Sequence, residues 1–312
     1  MARAHTEPAS GGAGEGEELP PDHRSGFVSI VGRPNAGKST LLNRVLGRKI
    51  AAVTPKPQTT RRRLLGIKTV PQAQMLFIDT PGIHRARDVM NQRMVERATA
   101  SLGEADVILW MVDAEQGLSA ADREVAALLP RGTKPIVIGL NKIDVVAKPA
   151  LLPQMAAIAA LVPDQPIVPV SAETGANLEV LLDAVVGALP AGPRYYPADS
   201  ITDEPERAIA AELIREKAML ETREEIPYAV AVSIDAFEEK PQLVVIKATL
   251  HVARDSQKPI LIGQRGARIK AIGQAARADL EDLLGSKVFL ELFVRVQSNW
   301  NTHLARLREF DL

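Results

Sequence analysis

The sequence predicts an α/β fold in residues 25–190, a doubly wound and mostly parallel sheet, followed by a smaller α+β domain in residues 206–312. Three observations carry this. From Gly26 to about Leu189, apolar runs of four to six residues alternate with helix-like segments, the rhythm of a parallel sheet covered on both faces. The stretch Pro190-Ala-Gly-Pro-Arg-Tyr-Tyr-Pro197 is too rich in Pro and Gly to continue helix or ladder, and places a linker at residues 191–205. Beyond it the alternation gives way to a helix, two strands, a glycine loop, a helix and a strand.

Residues 1–24 are mainly Ala, Gly, Glu, Ser and Pro, lack the apolar core of a signal peptide, and read as a disordered tail. The first strand is Phe27–Val31. It runs into Gly32, Arg33, Pro34, Asn35, Ala36, Gly37, Lys38 and Ser39, and a helix starts at Thr40. Strand, glycine-rich turn and helix start together build a phosphate cradle. Turn N–H groups and the helix dipole favour anionic oxygens, Lys38 reaches the β- and γ-phosphates, and Ser39 ligates Mg²⁺. A glycine turn with a stray lysine would need neither that strand nor that helix.

Next, Arg62–Val70 and Gln74–Ile78 read as an antiparallel edge hairpin turning near Pro71. The second strand ends in Asp79, Thr80, Pro81 and Gly82. Asp79 is placed to hold Mg²⁺ through water, and the Gly82 N–H to sense the γ-phosphate. In Pro57-Gln58-Thr59-Thr60-Arg61, Thr59 or Thr60 supplies the switch hydroxyl that completes the metal shell. Spacing does not separate the two; Thr60 is the expected ligand, which makes the metal set Ser39, Thr60 and Asp79. Further strands are expected at Ile108–Val112, Pro135–Leu140 and Ile167–Val170, with helices at Ala120–Leu129, Leu151–Leu161 and Leu178–Leu189.

The base is specified at the end of Pro135–Leu140, where Asn141, Lys142, Ile143 and Asp144 follow. Asp144 can accept from guanine N1–H and the N2 amino group together. Adenine lacks that donor pair and would strand the carboxylate. Asn141 is expected to tie this loop to the phosphate loop, and the Lys142 stem to lie along the base. Ser171, Ala172 and Glu173 follow the next strand and support the base through backbone contacts. Taken alone, Asn-Lys-x-Asp is an ordinary turn after a strand. Behind two phosphate motifs in the right order, it makes the ligand GTP or GDP.

Composition bounds the rest. With 46% apolar residues in 312, two cores are affordable to the chain. Zero cysteines exclude disulfides, thiolate nucleophiles and cysteine-ligated zinc, as a reducing cytosol permits. No apolar run reaches the length of a membrane span. Lys and Arg number 38 and so do Asp and Glu, so any nucleic-acid role must rest on a local patch.

In the second domain a helix is expected at Glu206–Thr222, strands at Tyr228–Ile234, Leu243–Val252 and Val288–Val296, and a helix at Ala267–Leu284. Gly263, Gln264, Arg265 and Gly266 sit immediately before that helix. Gly-x-x-Gly alone is commonplace, and Gly11 to Gly14 makes another. Its place between two helical segments of an α+β unit matches an RNA clamp. The neighbouring cations Arg254, Lys258, Arg265, Arg268, Lys270 and Arg277 face few acids, and the glycine N–H groups are expected to approach a phosphate closely. Ile260, Leu261, Ile262, Ile269 and Ile272 are candidates for a groove floor or for core. A solvated basic helix face is the plain alternative.

On these motifs the chain resembles the bacterial Era GTPase family: a P-loop, Ras-like G domain followed by a type II KH domain. The resemblance runs from Gly26 to the C-terminus and adds Ile201-Thr-Asp203, Ile214-Arg-Glu-Lys217 and Ile226-Pro-Tyr228. It implies a monomeric GTPase that hydrolyses GTP to GDP and phosphate and binds the 3′ end of small-subunit (16S) ribosomal RNA in 30S assembly. It further implies a cytoplasmic protein, in some members peripheral at the inner membrane. The second position of the RNA loop varies in the family, so Gln264 and Arg265 are not carried over as specific contacts.

The expected reaction is attack of water on the γ-phosphate, with Lys38, Thr60 and Gly82 as catalytic groups. Ile83 stands where Ras-like proteins carry a water-orienting glutamine, so slow intrinsic hydrolysis is expected. His84 reads as a solvent-facing loop residue. Asn35 resembles the asparagine that helps related GTPases hold a K⁺ ion. The competing reading is an RNA-binding scaffold that uses GTP structurally. A tRNA-modification GTPase would need a further domain and a reactive cysteine.

Overall fold

The computed structural model describes residues 19–83, 89–223, 226–298, 300 and 310. Most of the segment read as a tail, together with His84, lies outside them. Strand β1 (Arg24–Val31) is flanked in parallel by β3 (Ala73–Asp79) and β4 (Val107–Asp113). Beyond β4 lie β5 (Ile136–Asn141) and β6 (Ile167–Pro169), also parallel, and β2 (Leu64–Val70) closes the other edge antiparallel to β3. The order is β2-β3-β1-β4-β5-β6. Every residue of β3, β4 and β5 is buried. Unbroken apolar runs have this meaning in a sheet covered on both sides.

The covering helices divide β4 residue by residue. Leu109 and Met111 face the core shared with α1 (Lys38–Leu46) and α5 (Leu178–Ala188); Ile108, Trp110 and Val112 face the core shared with α2 (Val89–Glu104), α3 (Ala120–Leu128) and α4 (Leu151–Leu161). The sequence reading placed no element at α2. Because five of the six strands run one way, the loops that carry Gly32–Ser39, Asp79–Gly82, Asn141–Asp144 and Ser171–Glu173 all leave from one edge. Ligands of doubly wound sheets bind at that edge.

Two boundaries differ from expectation. The β2–β3 ladder begins at Leu64, opposite Asp79, because Arg61 and Arg62 turn their side chains to the second domain. Val70 pairs with Ala73, which puts the turn at Pro71-Gln72. At the start of the chain, His23 is buried with Nδ1 2.7 Å from the Gly192 carbonyl, so the last residues of the presumed tail join the sheet. The linker is strapped down as well. Gln74 holds the backbone of Tyr195 and Tyr196, Ile67 N–H donates to the Ile201 carbonyl at 2.8 Å, and Thr202 Oγ1 donates to that of Leu65 at 2.6 Å.

The second domain runs α6 (Glu206–Leu220), α7 (Ile226–Ala229), β7 (Ala231–Lys240), β8 (Leu243–Val252), α8 (Gln257–Ile262), α9 (Ala267–Leu284) and β9 (Lys287–Val296). β8 is central, antiparallel to β7 and parallel to β9. Leu213, Ile272, Ala276 and Leu280 pack over Ile246, Ala248 and Leu250. The strand expected at Tyr228–Ile234 is corrected. Tyr228 sits in the short helix α7, whose carbonyls meet Arg61, and the strand starts at Ala231 and runs on to Lys240.

The two domains share one buried apolar cluster, which passes from α1 through Ile50 to Ile209 and Leu213 of α6. Beside it Lys49 Nζ lies 2.6 Å from Glu216 and 2.7 Å from Asp279, and Lys217 pairs with the same two carboxylates at 3.0 and 2.6 Å.

Candidate functional site

The phosphate loop is built by close approach. Gly37 caps α1 at φ 93°, and a Cβ there would lie 2.1 Å from Asn141 Nδ2. Only glycine satisfies both conditions. Lys38 Nζ donates to the carbonyls of Gly32 at 3.2 Å and Arg33 at 3.0 Å. Burial pulls its pKa down to about 8, against the attraction of Asp79. Asn35, at φ 62°, donates from Nδ2 to the Pro55 carbonyl at 2.8 Å, tying the loop to the switch segment. Arg33 contributes its carbonyl here and turns its side chain into the protein, 3.0 Å from Asp113 and 3.3 Å from Asp122.

Three oxygens converge at the start of α1. Ser39 Oγ donates to Asp79 Oδ2 at 2.6 Å, and Thr60 Oγ1 is 2.8 Å from Ser39 Oγ and 3.4 Å from the same carboxylate oxygen. Asp79 is buried with Oδ1 unpartnered, and burial raises its pKa against the opposing pull of Lys38 and the Ser39 hydroxyl. Two hydroxyls and a buried carboxylate form a hard-oxygen donor set that suits Mg²⁺. Thr59 points elsewhere: its Oγ1 is 2.6 Å from Thr54 Oγ1 and donates to the Lys56 carbonyl at 2.9 Å.

Gly82 passes so close to the phosphate loop that a Cβ would lie 2.6 Å from Pro34 N. Thr80 Oγ1 donates to the Ile30 carbonyl at 2.9 Å, Pro81 is buried, and Ile83 N–H donates to the Gly32 carbonyl at 3.2 Å. The Ile83 side chain, 4% exposed, belongs to the core beside α2, which gives it no role at a nucleophile. Thr40 continues α1 beside this cleft.

At the far end, Asn141 bridges loops as its position suggests. Nδ2 donates to the Ala36 carbonyl and Oδ1 accepts from Ala172 N–H, both at 2.9 Å. Lys142, at φ 68°, places Nζ 2.8 Å from Asp113 and 3.2 Å from Glu115; burial disfavours its charge, but these two acids outweigh that and raise its pKa. Ile143 and the exposed Asp144 form a 3-10 turn, with Ile143 N–H donating to the Val170 carbonyl at 3.4 Å. Ser171 is buried, and the carbonyls of Ala172 and Glu173 accept from Arg44.

Sequence reading overlooked Asp113 and Asp122. Asp113 is fully buried and holds both Arg33 and Lys142, so the phosphate and base loops share one carboxylate. Their signals were available: Asp113 ends a strand, and Ser119-x-x-Asp122 spells the capping box that starts α3.

In the second domain α8 and α9 meet at Gly263–Gly266. Gly263 has φ 76°, and a Cβ there would lie 2.8 Å from Arg268 N. The loop N–H groups expected to meet a phosphate are otherwise used, a correction: Gly263 N–H donates to the Pro259 carbonyl at 2.9 Å and Gly266 N–H to that of Gly263 at 3.2 Å. The turn is tightened by its own bonds. Cationic side chains are left to meet an anion, and Arg254, Lys258, Arg265, Lys270 and Arg277 are exposed while Arg268 reaches back to the Ile260 carbonyl. Gln264 is exposed at the tip. Leu261 and Ile272 are core, Ile262 is half-buried, and Ile260 is exposed. Ile269 lines an open groove of about 430 Å³ with Lys270, Gly273, Gln274, Arg277 and, from β9, Leu290, Glu291 and Leu292. The β9 wall was not anticipated.

A phosphate loop, a hard-oxygen metal set and a guanine-type base loop on one sheet edge define a P-loop GTPase, here joined to a KH domain. The family model described as 50S ribosome-binding GTPase matches residues 27–142, and that described as KH domain matches residues 225–301. GTPase Era of Geotalea uraniireducens is 52% identical over 288 residues, which cover 92% of this chain and 97% of that protein; GTPase Era of Geobacter metallireducens matches to the same extent. Among solved structures, an Aquifex aeolicus Era variant bound to GDP·AlF4⁻ shares 44% identity at TM-score 0.89, covering 92% of this chain and 98% of that one. An Era complex with MgGDPNP and nucleotides 1506–1542 of 16S ribosomal RNA gives the same values. The chain belongs to the Era family of GTPases.

Proposed function

We propose that this chain hydrolyses GTP to GDP and phosphate, and that its nucleotide state sets how the second domain grips the 3′ end of small-subunit ribosomal RNA during 30S assembly. The observation that carries the reading is the meeting of Ser39, Thr60 and Asp79 oxygens beside Lys38, with Thr60 on a segment that also touches the second domain. An Era relative holds both a GTP analogue and 16S nucleotides, which supports the RNA assignment.

In hydrolysis a water oxygen bonds to the γ-phosphorus as the β–γ bridging P–O bond breaks, and the water's proton leaves with the phosphate. Lys38 Nζ, freed from the Gly32 and Arg33 carbonyls, neutralises the β- and γ-oxygens. N–H groups of Gly37 and Gly82 receive the growing charge. Ser39, Thr60 and Asp79 are the residues that would hold Mg²⁺, which supplies further charge neutralisation there. Asn141, Lys142, Asp144 and Ala172 hold the base. No residue at position 83 orients the water, so intrinsic turnover is slow. Asn35 is the candidate K⁺ ligand; equal turnover in Na⁺ and K⁺ buffers overturns that part.

The exposed cations of Gly263–Arg277 and the Ile269–Leu292 groove form the RNA site, with bases in the groove and phosphates on the side chains. The protein acts as a monomer in the cytoplasm. No described helix is long and apolar enough to cross a membrane. A scaffold using GTP structurally would have no use for Thr60 at the metal set. Single-turnover GTP hydrolysis, with and without a short single-stranded ribosomal 3′-end RNA, tests the reading: turnover accelerated by the RNA supports it, and no hydrolysis in either case refutes it. Gly263→Asp and Gly266→Asp should each abolish RNA binding.

A further inference from the structure

Three pieces of the sequence remain unexplained by either site: Arg61 at the end of Gln58-Thr-Thr-Arg61, Ile214-Arg-Glu-Lys217 and Ile226-Pro-Tyr228. They meet in one joint. Arg215 of α6 is buried, and its Nη2 donates to the Thr59 carbonyl at 2.5 Å. Its orientation is fixed by Glu212, 3.1 Å from Nε, and by Met219 Sδ, 2.9 Å from Nη1. One residue past Thr60, Arg61 is 1% exposed and threads into the second domain. Nη1 donates to the Val230 carbonyl at 2.8 Å, and Nη2 donates to those of Pro227 and Tyr228 at 3.1 Å. No carboxylate of a described residue makes an ion pair with Arg61, and its Nε is buried without a partner. This buried cation is held by three carbonyls, with the Trp300 ring 6.0 Å from its guanidinium carbon and Glu212 favouring its charge, so every group that seats it belongs to the second domain. Thr60 is therefore gripped on both flanks by the second domain, while its own hydroxyl faces Ser39 and Asp79.

We propose that Arg215 is a positioning residue for the GTPase: from the second domain it holds the switch backbone so that Thr60 reaches the metal set. This rests on the reading of Thr60 as the switch threonine. GDP makes no demand on Thr60, whereas the triphosphate state does. Loss of Arg215 should thus separate the two nucleotides, which a general folding defect would not.

The test measures affinities for GDP and for a non-hydrolysable GTP analogue with Mg²⁺, together with single-turnover hydrolysis, on the full chain. Arg215→Ala should lower analogue affinity and turnover at least about tenfold while GDP affinity stays within about twofold. Arg215→Lys, which keeps one donor, should recover part of the loss. On a Thr60→Ala background Arg215→Ala should add nothing, because both act through one hydroxyl. Lys49→Met removes the adjacent ion pairs without touching residues 59–61 and should leave the ratio of the two affinities unchanged. Equal losses for both nucleotides, an unchanged ratio in Arg215→Ala, or an equal collapse in Lys49→Met overturns the assignment. If Thr60→Ala itself leaves the ratio intact, the reading of Thr60 fails first; if Thr60→Ala collapses it and Arg215→Ala does not, this inference alone fails.

Discussion

Thr59 and Thr60 carry the same side chain one position apart, and backbone direction alone gives them different work. Thr60 Oγ1 faces Ser39, while Thr59 Oγ1 is spent on Thr54 and Lys56 within the loop. Thr60→Ala is expected to weaken binding of a GTP analogue in Mg²⁺ by about tenfold or more, and Thr59→Ala by less than about threefold, measured by calorimetry. Ile83 makes a second residue-scale case. Its side chain fills the core, so Ile83→Val should cost only about 0.5–1.5 kcal/mol of stability and leave single-turnover hydrolysis within about threefold. A far larger loss of rate would mean that position 83 touches the chemistry. The sequence could name both threonines but not choose, because the choice depends on what holds Thr59 and Arg61 from more than 150 residues away. Arg33 shows the same limit. Its place in the phosphate motif was legible, but its side chain's partners, Asp113 and Asp122, come from other strands and helices.

At the scale of elements, the parallel sheet was legible because a strand buried on both faces must be apolar throughout, and because each motif loop marks a strand's end. Helix α2 was not, since Val89–Glu104 mixes charges among its apolar residues. The Tyr228–Ile234 misreading has a tertiary cause: the carbonyls of α7 are turned to receive Arg61, and alternation in seven residues cannot report that. The Gly263–Gly266 turn likewise spends its glycine N–H groups internally, which shifts the expected phosphate contacts to side chains. Lys270→Ala and Arg265→Ala should each reduce the slope of log affinity for RNA against log salt by about 0.7. Unchanged slopes would move the phosphate contacts elsewhere. In α9, burial would raise the Asp279 pKa, but hydrogen bonds from Lys217 and Lys49 outweigh it and hold the carboxyl below its usual range. A pKa lower in the folded than in the unfolded state gives stability that is present above about pH 4 and lost as pH falls through the folded value. Asp279→Asn should therefore lower stability at pH 6 and flatten its fall below pH 4, as read by denaturant unfolding across pH.

For the whole molecule, the geometry ties the nucleotide cleft to the loop proposed to bind RNA. Residues 59–61 touch α6 and α7, Val53 N–H donates to Glu216 at 2.8 Å, and Lys49 links Glu216 to Asp279 on α9, the helix that follows Gly263–Gly266. A difference of about tenfold in RNA affinity between nucleotide states requires only ~1.4 kcal/mol of coupling, within reach of one such joint. The direct measurement is the affinity of the full chain for the single-stranded ribosomal 3′-end RNA, loaded in turn with a GTP analogue and with GDP in Mg²⁺. The account predicts affinities that differ at least about tenfold, with the difference erased by Thr60→Ala; equal affinities in the two states, within about twofold, would contradict it.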